Sequence, residues 1–182
     1  MMKRLLRCTA VIALAFAMCF ALLAVAGCSS TSSNTQKSAA QLNREYMSSV
    51  NSISSEVSSA LSTFTESASK QDVAAMRIAA QDAAKAFEKI DALDVPDALS
   101  EVASEYKSAA SDLSQALSDY VEIYANIKNA GEDTEAATKA AEGITDVNAR
   151  YASGMDHLSK ADSKVAELAS STSDATSDSS SK

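Results

Sequence analysis

Residues 95–131 read VPDALSEVASEYKSAASDLSQALSDYVEIYANIKNAG. Apolar residues recur every three or four positions through this stretch, which is the spacing that places side chains on one face of an α-helix. Pro96 suits the first helical position, and Asp97 lies where a carboxylate is stabilised by the positive end of the helix dipole. Gly131 favours an end to the helix. The stretch therefore predicts a helix over 96–130.

The same period appears in three other stretches and predicts helices over 39–69, 72–93 and 133–169. Because the connections between these helices are short, consecutive helices should be antiparallel neighbours. We therefore predict an all-α fold, an antiparallel up-down four-helix bundle over 39–169. The predicted inward residues are Leu42, Tyr46, Val50, Ile53, Val57, Leu61, Phe64, Val73, Met76, Ala80, Ala83, Phe87, Ile90, Leu93, Leu99, Val102, Tyr106, Ala109, Leu113, Leu117, Tyr120, Tyr124, Ile127, Ala137, Ala140, Ile144, Val147, Tyr151, Leu158, Ala161, Val165 and Leu168.

Individual residues indicate where these helices begin, where they bend and which faces they expose. Asp72 is a predicted N-cap, and the fourth helix should start at Asp133 or Thr134. Gly143 and Gly154 weaken the fourth helix and favour a bend. Acid-to-base pairs four residues apart predict exposed faces. These pairs are Glu66–Lys70, Glu135–Lys139, Asp146–Arg150 and Asp156–Lys160.

The first 27 residues are typical of an export signal. Lys3, Arg4 and Arg7 precede an apolar run over 8–26, and small residues follow. We therefore predict a signal peptide helix over 1–27, which lies outside the fold. The run is also long enough for an uncleaved membrane helix, but a serine-rich stretch follows it instead of a cluster of charges.

The stretch Val25-Ala26-Gly27-Cys28 resembles the lipobox of bacterial lipoproteins. The resemblance implies cleavage between Gly27 and Cys28 and attachment of a lipid to the Cys28 thiol. It also implies a location on the outer face of the cell membrane, because two acyl chains anchor a protein stably. The resemblance covers only the first 28 residues.

Residues 28–38 and 170–182 are rich in Ser and Thr and have little to bury, so we predict a flexible tether and a disordered tail. The formal net charge of −8 argues against a nucleic-acid partner. Cys8 and Cys19 lie in the predicted signal and Cys28 is assigned to lipid, which leaves no thiol for a disulfide, a metal or catalysis.

Few residues suggest a catalytic, metal-binding or ligand-binding site. His157 is the only histidine, and its neighbourhood predicts a surface residue beside the Asp156–Lys160 pair. Acids cluster near residues 91–101 and 132–135, where helix capping explains them more simply than a metal does. We expect no catalytic residue, metal or cofactor. Tyr120, Tyr124 and Tyr151 could face a ligand between helices, although core packing explains them as well.

Two hypotheses follow. The first is a lipid-anchored, non-enzymatic helical bundle that interacts with a protein partner in the cell envelope or has a structural role. The alternative is a bundle that binds or senses a small ligand, for example in the service of a transporter. An enzyme is the third and weakest reading, because no catalytic constellation is evident.

Overall fold

The computed structural model describes the backbone of residues 37–177 and the side chains of residues 37–170. The predicted signal peptide, the cleavage site at Gly27, the lipidation site at Cys28 and most of the predicted tether lie outside these residues. Within the described part the regular structure is entirely helical, with no strand. The helices are α1 (Ala39–Ser69), α2 (Val73–Asp91), a 3₁₀ turn (Asp97–Leu99), α3 (Ser100–Ala130), α4 (Thr134–Ala141) and α5 (Ile144–Ser177).

The ends of the helices follow the local sequence signals. The carboxylate of Asp72 accepts a hydrogen bond from the Ala75 amide at 3.0 Å and so caps α2. Asp133 caps α4 in the same way, through the Ala136 amide at 3.0 Å. Helix α3 ends at Gly131, which has a φ of +57°. Glycine adopts this left-handed conformation without steric cost.

The predicted fourth helix over 133–169 is interrupted beside Gly143, one of the two glycines that favoured a bend. The break lies at Glu142 and Gly143, between α4 and α5. A Cβ atom at position 143 would lie only 2.9 Å from Cδ1 of Ile123 on α3. Gly143 therefore permits the close contact with α3. At Gly154, by contrast, α5 is continuous.

The predicted boundary at 169 is also corrected, because α5 continues eight residues farther, to Ser177. No glycine or proline follows Gly154 in the chain. The serine-rich composition that suggested a disordered tail from 170 contains weak helix formers but no residue that forces a helix to end.

Helix α3 is at the centre of the fold. It packs against α2, α4 and α5. It also meets α1, because the rings of Phe64 and Tyr120 lie 5.9 Å apart. Helices α1 and α5 make far less contact with each other than either makes with its main neighbour. The fold is therefore organised around α3 more than around a closed ring of helices.

Ion pairs join α3 to both α2 and α5. On α3, Lys107 pairs with Asp91 of α2. On the side of α5, Glu101 pairs with Lys164 and Asp119 pairs with Arg150, so residue numbers rise along α3 as they fall along α5.

The core matches most of the predicted inward positions, with two corrections. Leu42 and Leu168 are 40% and 37% exposed, because each lies near the outer end of a terminal helix. Tyr124, Tyr151 and several other predicted residues are half-buried. Helix α3 also buries a second stripe that was not predicted, made of Ala103, Ala110, Ala116 and Val121.

Within residues 37–177, no helix is both long enough and apolar enough to cross a bilayer.

Candidate functional site

A small apolar cavity lies between α1, α3 and α5. Two of the three predicted ligand-facing tyrosines, Tyr120 and Tyr151, line it, together with Phe64, Leu117 and Val147. Its volume is about 20 Å³. That is room for about one water molecule, whereas pockets for drug-sized ligands measure roughly 300–1,000 Å³.

The third tyrosine, Tyr124, stacks on Tyr120 with ring centroids 6.3 Å apart, but it does not line the cavity. Burial raises the pKa of the Tyr120 hydroxyl above its ordinary value, and the nearby Tyr124 adds to this effect. The structure therefore brings the three tyrosines into one region of the fold, where they chiefly fill space.

His157 links two helices. Its Nδ1 atom lies 2.7 Å from Oε2 of Glu105, and the His157 and Glu105 side chains are only 28% and 21% exposed. The expected Asp156–Lys160 pair forms beside it at 2.7 Å. The sequence indicated a surface histidine and gave no sign of Glu105, because their contact depends on how α5 lies against α3.

Further polar contacts flank this pair along the α3–α5 contact. The Tyr106 hydroxyl donates to Oδ1 of Asp162 at 3.3 Å, and Lys164 donates to Glu101 at 2.5 Å. The Lys164 hydrogen bond holds the pKa of the Glu101 carboxyl below its ordinary value. Arg150 pairs with Asp119, 3.4 Å away, and not with the predicted partner Asp146. Polar groups therefore line the edges of this interface.

Among the side chains that the structure describes in α5, up to residue 170, the buried apolar ones are Val147 and Ala161. Gly154 lies against α3 at a close approach, because an added Cβ would be 2.7 Å from Cγ of Leu113. The α3–α5 interface thus combines a backbone contact at Gly154 with polar pairs at its edges.

Several of the acids near residues 91–101 and 132–135 pair with lysines or cap a helix. In the part of the chain that the structure describes, no group of three or more His, Cys, Asp or Glu side chains could hold a metal ion. Asp91 and Glu101 of the first cluster pair with lysines. Asp133 of the second cluster caps α4.

A second, open groove runs along the surface between α2 and α3, with a volume of about 340 Å³. Ala80, Ala84 and Val121 line it together with polar residues that include Arg77 and Glu122. Small residues from both α2 and α3 line the groove, which leaves space between the two helices.

No protein-family profile, curated protein or solved structure matches the chain. Its function is therefore inferred from its residues and their geometry.

Proposed function

We propose that the chain is a lipid-anchored protein on the outer face of the cell membrane, whose helical body is a non-enzymatic interaction or structural module. The observation that carries the proposal is the stretch Val25-Ala26-Gly27-Cys28 after a cationic and apolar leader. A lipid on Cys28 would anchor the body through two acyl chains.

In this proposal the body is an antiparallel up-down four-helix bundle, with α4 and α5 together in the fourth place. The opposite order of contacts along α3 and α5 supports this arrangement, as does the pairing of Asp91, the last residue of α2, with Lys107 in the first part of α3.

The length of the tether limits how far the start of α1 can lie from the membrane. Residue 37 begins the described chain, nine residues after Cys28, and nine residues span at most about 30 Å when fully extended. The start of α1 therefore lies near the membrane. The α1–α2 turn and the α3–α4 turn lie at the opposite end, which we call the distal end, and face outward toward partners in the envelope.

The test is the intact mass of the mature protein extracted from membranes. We expect a chain that begins at Cys28 and carries the added mass of a diacylglyceryl group. A Cys28→Ser variant should lose this mass. A mature native chain without acyl mass would refute the anchor.

A second candidate is a bundle that binds a small ligand. The observation in its favour is the cavity lined by Tyr120 and Tyr151. This cavity would have to open between α1 and α5 to admit more than a water molecule. Native mass spectrometry tests the idea, because a bound compound would add mass to the folded chain. A Tyr151→Ala variant, which alters the wall of the cavity, would change the amount of the compound that is bound.

A further inference from the structure

The groove between α2 and α3 has an apolar floor. Ala80 and Val121 line it and are only 8% and 2% exposed, and Ala84, which also lines it, is half-buried. The volume of about 340 Å³ is at the lower end of the range for small-molecule pockets, roughly 300–1,000 Å³. The groove therefore has room for a small organic compound.

The two helices that form the groove face each other in a definite register. Asp91 of α2 pairs with Lys107 of α3. The α2 residues of the groove all precede Asp91, and its α3 residues all follow Lys107, which indicates that the two helices run in opposite directions. Arg77 precedes Asp91 by as many residues as Val121 follows Lys107. Because both helices rise equally per residue, Arg77 is level with Val121 and its neighbour Glu122.

Arg77 and Glu122 place opposite charges on the two walls of the groove. Arg77 lines it from α2, and Glu122 lines it from α3. Within the described side chains, neither residue forms an ion pair with the other or with a third residue. One end of the groove therefore presents a guanidinium and a carboxylate that are both available to a ligand.

The rest of the groove offers uncharged hydrogen-bonding groups. Gln81 lines it from α2, and Ser114 and Ser118 line it from α3. The hydroxyls of Ser49 and Ser67 on α1 donate to backbone carbonyls one turn earlier. In the described part of the chain, Ser114 and Ser118 form no such hydrogen bond. These groups suit a polar side chain without charge.

We propose that the groove between α2 and α3 binds a small zwitterion, namely a free α-amino acid with an uncharged polar side chain. The ligand carboxylate would pair with Arg77, whose guanidinium offers two parallel donors. The ligand ammonium would donate to the Glu122 carboxylate. An α-amino acid carries both charges on one carbon atom, which matches two opposite charges at one level of the groove. Its side chain would extend along the floor toward Ser114.

The charges of the groove favour this ligand over other small ions. An anion such as phosphate would meet the Glu122 carboxylate as well as Arg77, and an amine would meet Arg77 as well as Glu122, so each is opposed by a like charge. A zwitterion satisfies both residues. The groove is separate from the cavity lined by Tyr120 and Tyr151, and the proposal goes beyond the lipid anchor and the protein partner.

The first experiment titrates the isotope-labelled chain from residue 28, with Cys28→Ser, with L-glutamine and follows the backbone amides by NMR. We expect saturable shifts of amides within residues 77–84 and 114–122. N-acetyl-L-glutamine lacks the ammonium and L-glutaminamide lacks the carboxylate, so each should bind at least about tenfold more weakly. Equal affinity for the three compounds, or no saturable shift with L-glutamine, would overturn the proposal.

Charge variants locate the site. R77Q and E122Q each remove one of the two charges and should each weaken binding of L-glutamine about tenfold. The matched controls are R44Q and E88Q, which remove the same charges from exposed residues that form no ion pair among the described side chains. The controls should bind L-glutamine normally. Unchanged binding by the groove variants, or an equal loss in the controls, would overturn the site.

A larger side chain on the floor tests the position of the ligand. A84L would fill the groove and should weaken binding of L-glutamine at least about tenfold. The control A74L makes the same change at an exposed position of α2 outside the groove and should bind normally. Thermal unfolding of both variants checks that the helices remain intact. Normal binding by a folded A84L protein would overturn the proposed position.

These results are independent of the lipid anchor. The chain used carries no lipid, so a failure to bind L-glutamine leaves the proposed anchor untouched. Absence of acyl mass on the native chain would likewise leave the binding result untouched.

Discussion

Gly154 and Leu113 are in such close contact that a side chain at position 154 has no room: an added Cβ would lie 2.7 Å from Cγ and 2.8 Å from Cδ2 of Leu113. The Ala109 carbonyl oxygen would be 3.4 Å away, so backbone as well as side chain closes the site. Glycine here sets the distance between α3 and α5.

Substituting Gly154→Ala should therefore destabilise the protein, although alanine is the better helix former. Overpacking costs about 1–3 kcal/mol, while the gain in helix propensity is about 1 kcal/mol. Urea unfolding followed by circular dichroism measures the difference. The neighbouring exposed change Ser153→Ala is the control and should be neutral or slightly stabilising. A G154A protein as stable as the native chain would contradict the close contact.

Adding Leu113→Ala should relieve the clash, so the effects of the two substitutions on the free energy of unfolding should not be additive.

The Glu105–His157 pair should contribute measurably to the docking of α5. In a double-mutant cycle with E105Q and H157Q, we expect a coupling free energy of up to about 1 kcal/mol, because both side chains are largely shielded from water. The exposed Asp156–Lys160 pair is the comparison, and its coupling should be smaller, because water screens both charges. Equal coupling in the two cycles would show that partial burial adds nothing to the Glu105–His157 pair.

Gln71→Gly should stabilise the turn between α1 and α2. Gln71 has a φ of +56°, the left-handed region that is unfavourable for residues with a Cβ. Relief of this strain outweighs the extra freedom of glycine in the unfolded chain, so we expect a gain of about 0.5–1 kcal/mol. Gln81→Gly, at an exposed site inside α2, is the control and should cost about 1 kcal/mol. Thermal unfolding of both variants checks the opposite signs.

The protein should lose stability at alkaline pH. Burial raises the pKa of the Tyr46, Tyr106 and Tyr120 hydroxyls, and Asp162 adds to the effect at Tyr106. A raised folded-state pKa gives stability that is complete below the unfolded value, near 10, and is lost as pH rises above it. Ultraviolet titration should therefore show these tyrosines ionising only as the helices unfold. Ionisation of all five tyrosines near pH 10 with the helical signal intact would contradict this.

The sequence predicted the helices well because each signal was local. Asp72, Asp133 and Gly131 act within one turn of their own positions, and the helix boundaries there agree with the structure to within two residues. The buried second stripe of α3 was missed for a different reason. Its residues are mostly alanines, which occur on buried and exposed faces alike. Only the presence of neighbours on several sides of α3 decides that Ala103 and Ala110 are buried.

The ion pairs show the same limit. Glu66–Lys70 and Asp156–Lys160 form as predicted, since both partners lie on one helix. Arg150 instead reaches across to Asp119 on α3. The link between His157 and Glu105 was likewise not visible in the sequence, because it joins residues 52 positions apart.

The central position of α3 has a consequence for how the chain is made. Helices α1 and α2 are synthesised first, but the apolar faces that they turn toward α3 have no cover until residues 100–130 have emerged. A nascent chain that ends before residue 100 can therefore form at most a two-helix hairpin, in which those apolar faces are exposed to water. Stable folding should therefore begin within the 31 residues of α3. A chain that emerges from a narrow channel with its N-terminus first should remain largely unfolded until α3 has emerged.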